Sequence, residues 1–290
     1  MPRKPARKRP SRKRIPKAKQ KALKRKKLRK NLSVAALFIV SALFLSGYLL
    51  YKELTSEYAS AFSSSSYGIL NQDVYSSAVI VVDDFSQEPV KVSRITLYIF
   101  DKGTLKLIKY RIPLDTEIDV PGRYGLEPFS KIFALGSMQK SDFSESAKLV
   151  TRTIYKLFAF PVDRYLVVES GGEEPVIALL NGQIDFKSPG LEPEMIKKFV
   201  ITNISLKEFF DIYTFSRSIP ADRIIEKEVA GSYLENSALL DEELKDLTFD
   251  TSLSEEQKSL AVLNGSQMPG IAAFGSRLIE NYGGRVVAIG

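Results

Sequence analysis

The chain contains no His and no Cys. Any catalysis must therefore rest on carboxylates, Lys, Arg, Tyr, Ser or Thr, together with a hard cation such as Mg²⁺ where one is bound. Within the globular part, the stretch from 111 to 131 gathers Arg111, Asp115, Arg123 and Lys131. The three cations lie near one carboxylate in sequence and could form a basic patch. Each residue also has a plainer reading. Asp115 lies between Pro113 and Pro121, as turn residues do. Arg111 sits on an alternating strand, Arg123 in a loop and Lys131 on a helix surface. One Asp without partners holds Mg²⁺ poorly.

The elements that must position these residues follow from the patterning. Residues 1–30 carry 17 Lys or Arg and no acid. Residues 32–51 read LSVAALFIVSALFLSGYLLY, uncharged and 20 residues long. As a helix that segment spans about 30 Å, the hydrocarbon thickness of a bilayer. It exceeds the usual hydrophobic region of a signal peptide, so an uncleaved anchor is expected despite the small-x-small site at Ala59-Ser60-Ala61. The basic block predicts a cytoplasmic N-terminus, a single pass through the plasma membrane and an extracytoplasmic remainder. The tail is expected to be disordered and to lie on anionic lipid. It lacks interleaved aromatics, so specific nucleic-acid binding is not expected. Beyond the tail, 25 Lys and Arg face 34 Asp and Glu, a net of −9. The absence of Cys leaves an exported domain without disulfide staples.

Residues 52–72, ending in a Ser-rich run, read as a stalk. Residues 78–82 form an apolar run expected as a buried strand, and 90–100 and 104–112 alternate around Asp101-Lys102-Gly103, a hairpin signal. Residues 113–125 hold two Pro and two Gly and read as a loop. Helices are expected over 128–137 and 144–158, with Leu149, Ile154, Leu157 and Phe158 sharing one face. Strands are expected over 164–169, 176–180 and 224–229. An aromatic-rich helix is expected over 206–215, and a solvated acidic helix over 236–247. Residues 249–255 read as a linker. Residues 259–263, 270–282 and 285–289 make a small strand–helix–strand unit, too small to bury a core alone. The expected class is α/β, an α+β mixed sheet with flanking helices, behind one N-terminal transmembrane helix and followed by a small βαβ C-terminal unit. The expected organisation is a tail over 1–31, a span over 32–51, a stalk over 52–72, an extracytoplasmic domain over 73–232, a linker with acidic helix over 233–257 and the C-terminal unit over 258–290.

Specific blocks carry a resemblance. Ala261-Val262-Leu263-Asn264-Gly265-Ser266, with Pro269-Gly270-Ile271-Ala272, Leu278, Gly283 and Val286-Val287, resembles the start of the C-terminal domain of LytR-type proteins. Upstream, Ile112-Pro113-Leu114-Asp115-Thr116 resembles the strand-ending I-P-R-D-T of the LytR-CpsA-Psr family. Phe160-Pro161-Val162-Asp163 with Tyr165 resembles its G-I-P-I-D-x-Y block, and Thr202-Asn203-Ile204-Ser205-Leu206 its T-N-L-S-L stretch. The resemblance implies a membrane-anchored cell-envelope protein. Active members transfer a glycan phosphate from polyprenyl pyrophosphate to a wall polymer, using Arg on the pyrophosphate and Asp-held Mg²⁺. Here Leu114 stands at the family's Arg, Tyr75-Ser76-Ser77 at its Arg-Ser-Asp, and the A-Y-x-R-x-R motif has no counterpart. The expectation is a degenerate member, non-catalytic and without cofactor, that binds wall polymer or acts as a scaffold. The alternative is a phosphotransferase with a rearranged site, in which Asp115 and Arg111 act, Asp115 holds Mg²⁺, and Arg123 and Lys131 bind the pyrophosphate of the polyprenyl lipid.

Overall fold

The computed structural model describes residue 41 and residues 44–52, 74–139, 142–183, 200–231, 237–247 and 258–290. Two compact units divide at residue 53. In the first, residues 44–52 are helical and exposed. Most of the expected span and all of the basic tail lie outside the described residues. Among those described, no helix is long and apolar enough to cross a membrane. The stalk reading over 52–72 and the linker reading over 249–255 also lie outside them, residue 52 excepted.

The second unit runs, in chain order, through β1 (Val74–Val82), β2 (Val92–Asp101), β3 (Lys106–Ile112), β4 (Glu117–Val120) and β5 (Gly125–Pro128). Then come α1 (Phe129–Gln139), α2 (Phe143–Phe158), β6 (Arg164–Glu169), α3 (Glu173–Leu180), β7 (Val200–Thr202) and α4 (Leu206–Ser218). The last elements are β8 (Ile224–Glu228), α5 (Ser237–Leu247), β9 (Ser259–Val262), α6 (Ile271–Asn281) and β10 (Arg285–Ile289). The main sheet is mixed and has six strands, in the order β7-β6-β1-β2-β3-β8. Strand β1 pairs antiparallel with β2 and parallel with β6. Strand β3 pairs antiparallel with β2 and parallel with β8.

All nine residues of β1 are buried, as expected of an apolar run covered on both sides. Alternation then divides the core. Ala78, Ile80, Ile95, Leu97, Ile108, Tyr110 and Ile112 face α1, α2 and α5. Tyr75, Val79, Tyr98, Phe100 and Leu107 face α3 and α4. Two glycines permit close approaches. A Cβ on Gly136 would lie 2.4 Å from Ser146 Cα, where α1 crosses α2. Gly182 has φ +68°, and its Cβ would lie 2.7 Å from Arg217 N on α4.

The α/β expectation with a mixed sheet and flanking helices agrees with this architecture, and several local readings are corrected. Residues 176–180 are helical, as part of α3. Pro175 sits in the first turn beside Glu173 and Glu174, all favourable at a helix start. The 113–125 loop contains β4, which pairs with β5 in a short hairpin. The acidic helix α5 is not solvated all round: Leu240 and Leu244 are fully buried and join the core under α2.

Helix α5 also receives the C-terminal unit, in which β9 and β10 pair in parallel. Arg277 of α6 donates from Nε to Asp241 Oδ2 at 2.6 Å and from Nη2 to Asp241 Oδ1 at 2.9 Å. The fully buried Asn281 donates from Nδ2 to Phe158 O at 3.0 Å and to Asp241 Oδ1 at 2.9 Å. It thus satisfies a carbonyl that α2 leaves open where Ala159 turns into the left-handed region. Tyr155–Phe274 and Phe160–Tyr282 ring contacts complete the seam. We predict that Asn281→Ala, which leaves the Phe158 carbonyl buried and unmet, costs about 1–3 kcal/mol in denaturant unfolding. A change within error would mean that the seam contributes nothing.

Candidate functional site

Strand parity decides where the predicted residues go. On β3, Ile108, Tyr110 and Ile112 turn into the core under α1 and α2. Lys109 and Arg111 therefore project from the opposite face, beside Arg94, Thr96 and Tyr98 of β2. The register sets Thr96 against Arg111 and Tyr98 against Lys109. Together with Ile177 and Asn181 at the end of α3, and Glu226 of β8, they line a cleft of about 190 Å³. Arg94 pairs with Glu173 at 2.6 Å and Lys109 with Glu226 at 2.7 Å. Arg111 is exposed and has no side-chain partner among the described residues. Burial pushes the Tyr98 hydroxyl up to about 12, so it stays protonated at neutral pH.

The other three predicted residues lie elsewhere. Asp115 is exposed in the turn between β3 and β4. That turn is tied to the start of α1 by Ser130 N–H to Leu114 O at 2.9 Å and Phe129 N–H to Thr116 O at 3.0 Å. Arg123, at φ +71°, is exposed at the tip of the β4–β5 hairpin. Lys131, on the outer surface of α1, pairs with Glu127 of β5, four residues earlier. The hairpin and α1 belong to the face opposite Arg111: Ile118, Val120, Phe129 and Ile132 all pack into that core. Leu114 packs against the same core. The structure thus does not bring the four residues together. Among the described residues no cluster of three Asp or Glu side chains could hold a metal ion. Any Mg²⁺ at the exposed Asp115 would have to be held without such a cluster.

A second polar group has no counterpart among the predicted residues. At the start of β1 and β6, Ser76 N–H donates to Asp163 Oδ2 at 3.0 Å, and Ser76 Oγ donates to Pro161 O at 2.5 Å. Arg164 donates from Nε and Nη2 to Glu208 Oε1, at 3.1 and 2.6 Å. Glu208 also closes the capping box of α4: Ser205 N–H donates to its Oε2 at 2.8 Å, while its own N–H donates to Ser205 Oγ. Asn203 Oδ1 accepts from Tyr165 N–H, and Thr202 Oγ1 donates to Tyr165 O. The Ser205-x-x-Glu208 spacing was a readable signal for this cap. The union of Arg164 with Glu208 across 44 residues was not. The hydroxyls of Tyr75 and Ser77 are buried here without a hydrogen-bond partner among the described residues. Burial holds the Tyr75 phenol well above its usual value, with Glu208 adding to the effect. The group joins β1, β6 and α4.

No protein-family model matches the chain, and no curated protein matches it. Solved structures do overlap in part. The transcriptional regulator yvhJ from Bacillus subtilis aligns over 55% of this chain and 84% of its own, at 14% identity and a TM-score of 0.41. TagT, solved bound to LIIa-WTA, aligns over 60% and 84%, at 14% identity and a TM-score of 0.42. TagV of B. subtilis aligns over 55% and 85%, at 11% identity and a TM-score of 0.42.

The buried junction predicts a pH dependence. Burial raises the Asp163 carboxyl above its ordinary 3.8, against the lowering effect of the Ser76 hydrogen bonds. A raised folded-state value favours the protonated form in the fold. The contribution is therefore fully present below the unfolded value and is lost as pH rises through the folded one. Relative to Asp163→Asn, the wild type should lose unfolding free energy as pH rises from about 3 to 7. Parallel stability curves for the two proteins would contradict this.

Proposed function

We propose that this chain is a single-pass plasma-membrane protein of LytR-CpsA-Psr type whose extracytoplasmic domain binds cell-wall polymer without transferring it. The basic tail followed by an uncharged 20-residue segment supports the topology. The same tail would rest on anionic lipid headgroups. The I-P-x-D-T, P-V-D-x-Y and T-N-x-S-L blocks, with the L-N-G-S segment near the C-terminus, support the family reading. The C-terminal unit is read as a partial LytR-type C-terminal domain.

The observation that carries the non-catalytic reading is the separation of charges. Phosphotransfer would need Arg111, Asp115, Arg123 and Lys131 around one phosphate within a few ångströms. Arg111 lies on one face of the sheet, Arg123 and Lys131 belong to elements packed against the opposite face, and Asp115 is exposed in the turn that follows β3. At the position of the family's Arg, Leu114 packs into the core. A binding role needs only the open cleft beside Arg111, with no metal and no cofactor.

Two measurements test this. The Cys-free chain allows single-cysteine labelling without background. With a membrane-impermeant maleimide on intact cells, Gln87→Cys should label and Ser11→Cys should not; the reverse pattern would overturn the topology. In the second, full-length protein in detergent is sedimented with purified wall sacculi. Arg111→Ala should weaken retention by about tenfold, the scale of one charge-assisted contact. Equal retention of wild type and variant would sink the binding role of the cleft.

A further inference from the structure

We propose that the open edge of β8 is a docking site for an extended basic peptide, which adds to the main sheet as a further strand. This goes beyond the binding role of the cleft and does not depend on it.

Topology and hydrogen bonding define the edge. Strand β8 ends the sheet order, pairs in parallel with β3 and has no second strand neighbour among the described residues. Val229 N–H donates to Arg111 O at 2.9 Å. The alternation of a strand then turns the backbone groups of Ile225 and Lys227 toward β3 as well, and those of Glu226 and Glu228 outward. Ile224 N–H is taken by Ala221 O in the preceding turn. The N–H and C=O groups of Glu226 and Glu228, with the C=O of Ile224, have no backbone partner among the described residues. Such a row is a template for another strand. The opposite edge, β7, is only three residues long, against five for β8.

Side chains select the occupant. Ile224, Glu226 and Glu228 share the cleft side of the sheet: Ile224 packs against the core under α3 and α4, and Glu226 lines the cleft. Glu226 pairs with Lys109 at 2.7 Å, yet its side chain is 71% exposed and open to a second cation. Glu228 is exposed and has no ion-pair partner among the described residues; Arg111 stands across the β3 register without pairing with it. On the other side of the sheet, Lys227 is held by Glu243 of α5 and Ile225 packs into the core. The unanswered charge along this edge is therefore negative.

Cross-strand neighbours on one face touch directly, so opposite charges favour pairing and like charges oppose it. A strand that sets an apolar residue beside Ile224 and Lys or Arg beside Glu226 and Glu228 matches the edge at each position. A second copy of the chain does not, because antiparallel pairing centred on Glu226 sets that carboxylate against its own copy. Charges placed in this way turn away neutral and acidic strands and admit a basic one.

The test uses full-length protein in detergent and end-blocked fluorescent peptides. The basic peptide reads Thr-Lys-Thr-Lys-Thr-Val-Thr; its controls carry Glu or Ser in place of Lys. Anisotropy reports binding, and hydrogen exchange followed by mass spectrometry reports the amides of residues 224–228. The basic peptide should bind and slow exchange there, and the controls should not. Replacing both carboxylates, Glu226→Gln with Glu228→Gln, should weaken binding by about fivefold, the scale of two cross-strand charge pairs. Glu228→Pro removes an outward N–H, a place where an edge strand tolerates proline, and should weaken binding further than Glu228→Gln. An unchanged melting temperature shows that a variant folds, and the Gln variants decide the question alone if the Pro variant does not. No binding of the basic peptide, equal binding of the acidic one, or binding that leaves exchange over 224–228 unchanged would each overturn the proposal. Dimerisation that disappears in Glu228→Pro would assign the edge to a second copy instead.

Discussion

Strand β1 runs through the molecule with all nine of its residues buried, and the rest of the architecture answers the need to cover both of its faces. Helices α1, α2 and α5 cover one side, and α3 and α4 the other. A sheet covered in this way is a partition. Side chains one residue apart on β3 go to different compartments, so Ile112 enters the core while Arg111 opens onto a cleft. Any site must be assembled on one side of that partition. Among the polar residues that line the cleft on the α3 side are Arg94, Thr96, Lys109, Arg111, Asn181 and Glu226. That is a set of paired charges and hydrogen-bonding groups rather than an uncompensated cationic cradle.

Buried polar groups join the elements that the core alone would leave loosely oriented. Asp241 accepts from both Arg277 and Asn281, and Asn281 in turn meets a carbonyl at the end of α2. Glu208 serves Arg164 of β6 and the N-terminus of its own helix at once. Removing one partner from such a junction strands the others in a medium of low dielectric, so each junction is costlier to break than its count of hydrogen bonds suggests. The P-V-D-x-Y and T-N-x-S-L blocks lie in the second junction: Asp163, Tyr165, Thr202, Asn203 and Ser205 all make their contacts there. In this chain, these motif residues hold strands and helix together.

Local patterning carried much of this fold. The apolar run in β1, the β2–β3 hairpin around Gly103, the buried face of α2 and the C-terminal βαβ unit all follow from residue spacing. Other features depended on distant partners. Residues 176–180 are apolar in any conformation, and only the acidic, Pro-containing turn before them marks a helix start. The charges of α5 suggest solvation, yet Leu240 and Leu244 meet α2, which lies some ninety residues earlier. Arg111 was legible as a candidate because it is a cation on an alternating strand. Its separation from Arg123 and Lys131 was not, since a turn and a hairpin strand intervene and the chain there packs on the other side of the sheet. Arg94 and Asn181 gave no signal, because what marks them is a cleft built from five separate elements.

The central proposal is that the chain does not transfer glycan, because Arg111 opens onto the cleft while Arg123 and Lys131 sit on elements packed against the other face of the sheet. A single-turnover assay tests it most directly. Full-length protein in excess over a radiolabelled polyprenyl-pyrophosphate glycan, with wall acceptor and Mg²⁺, is followed for release of the lipid. No release above the protein-free rate is the predicted result. Release that disappears in both Asp115→Ala and Arg111→Ala would contradict the account, because it would require the two side chains to meet at one phosphate.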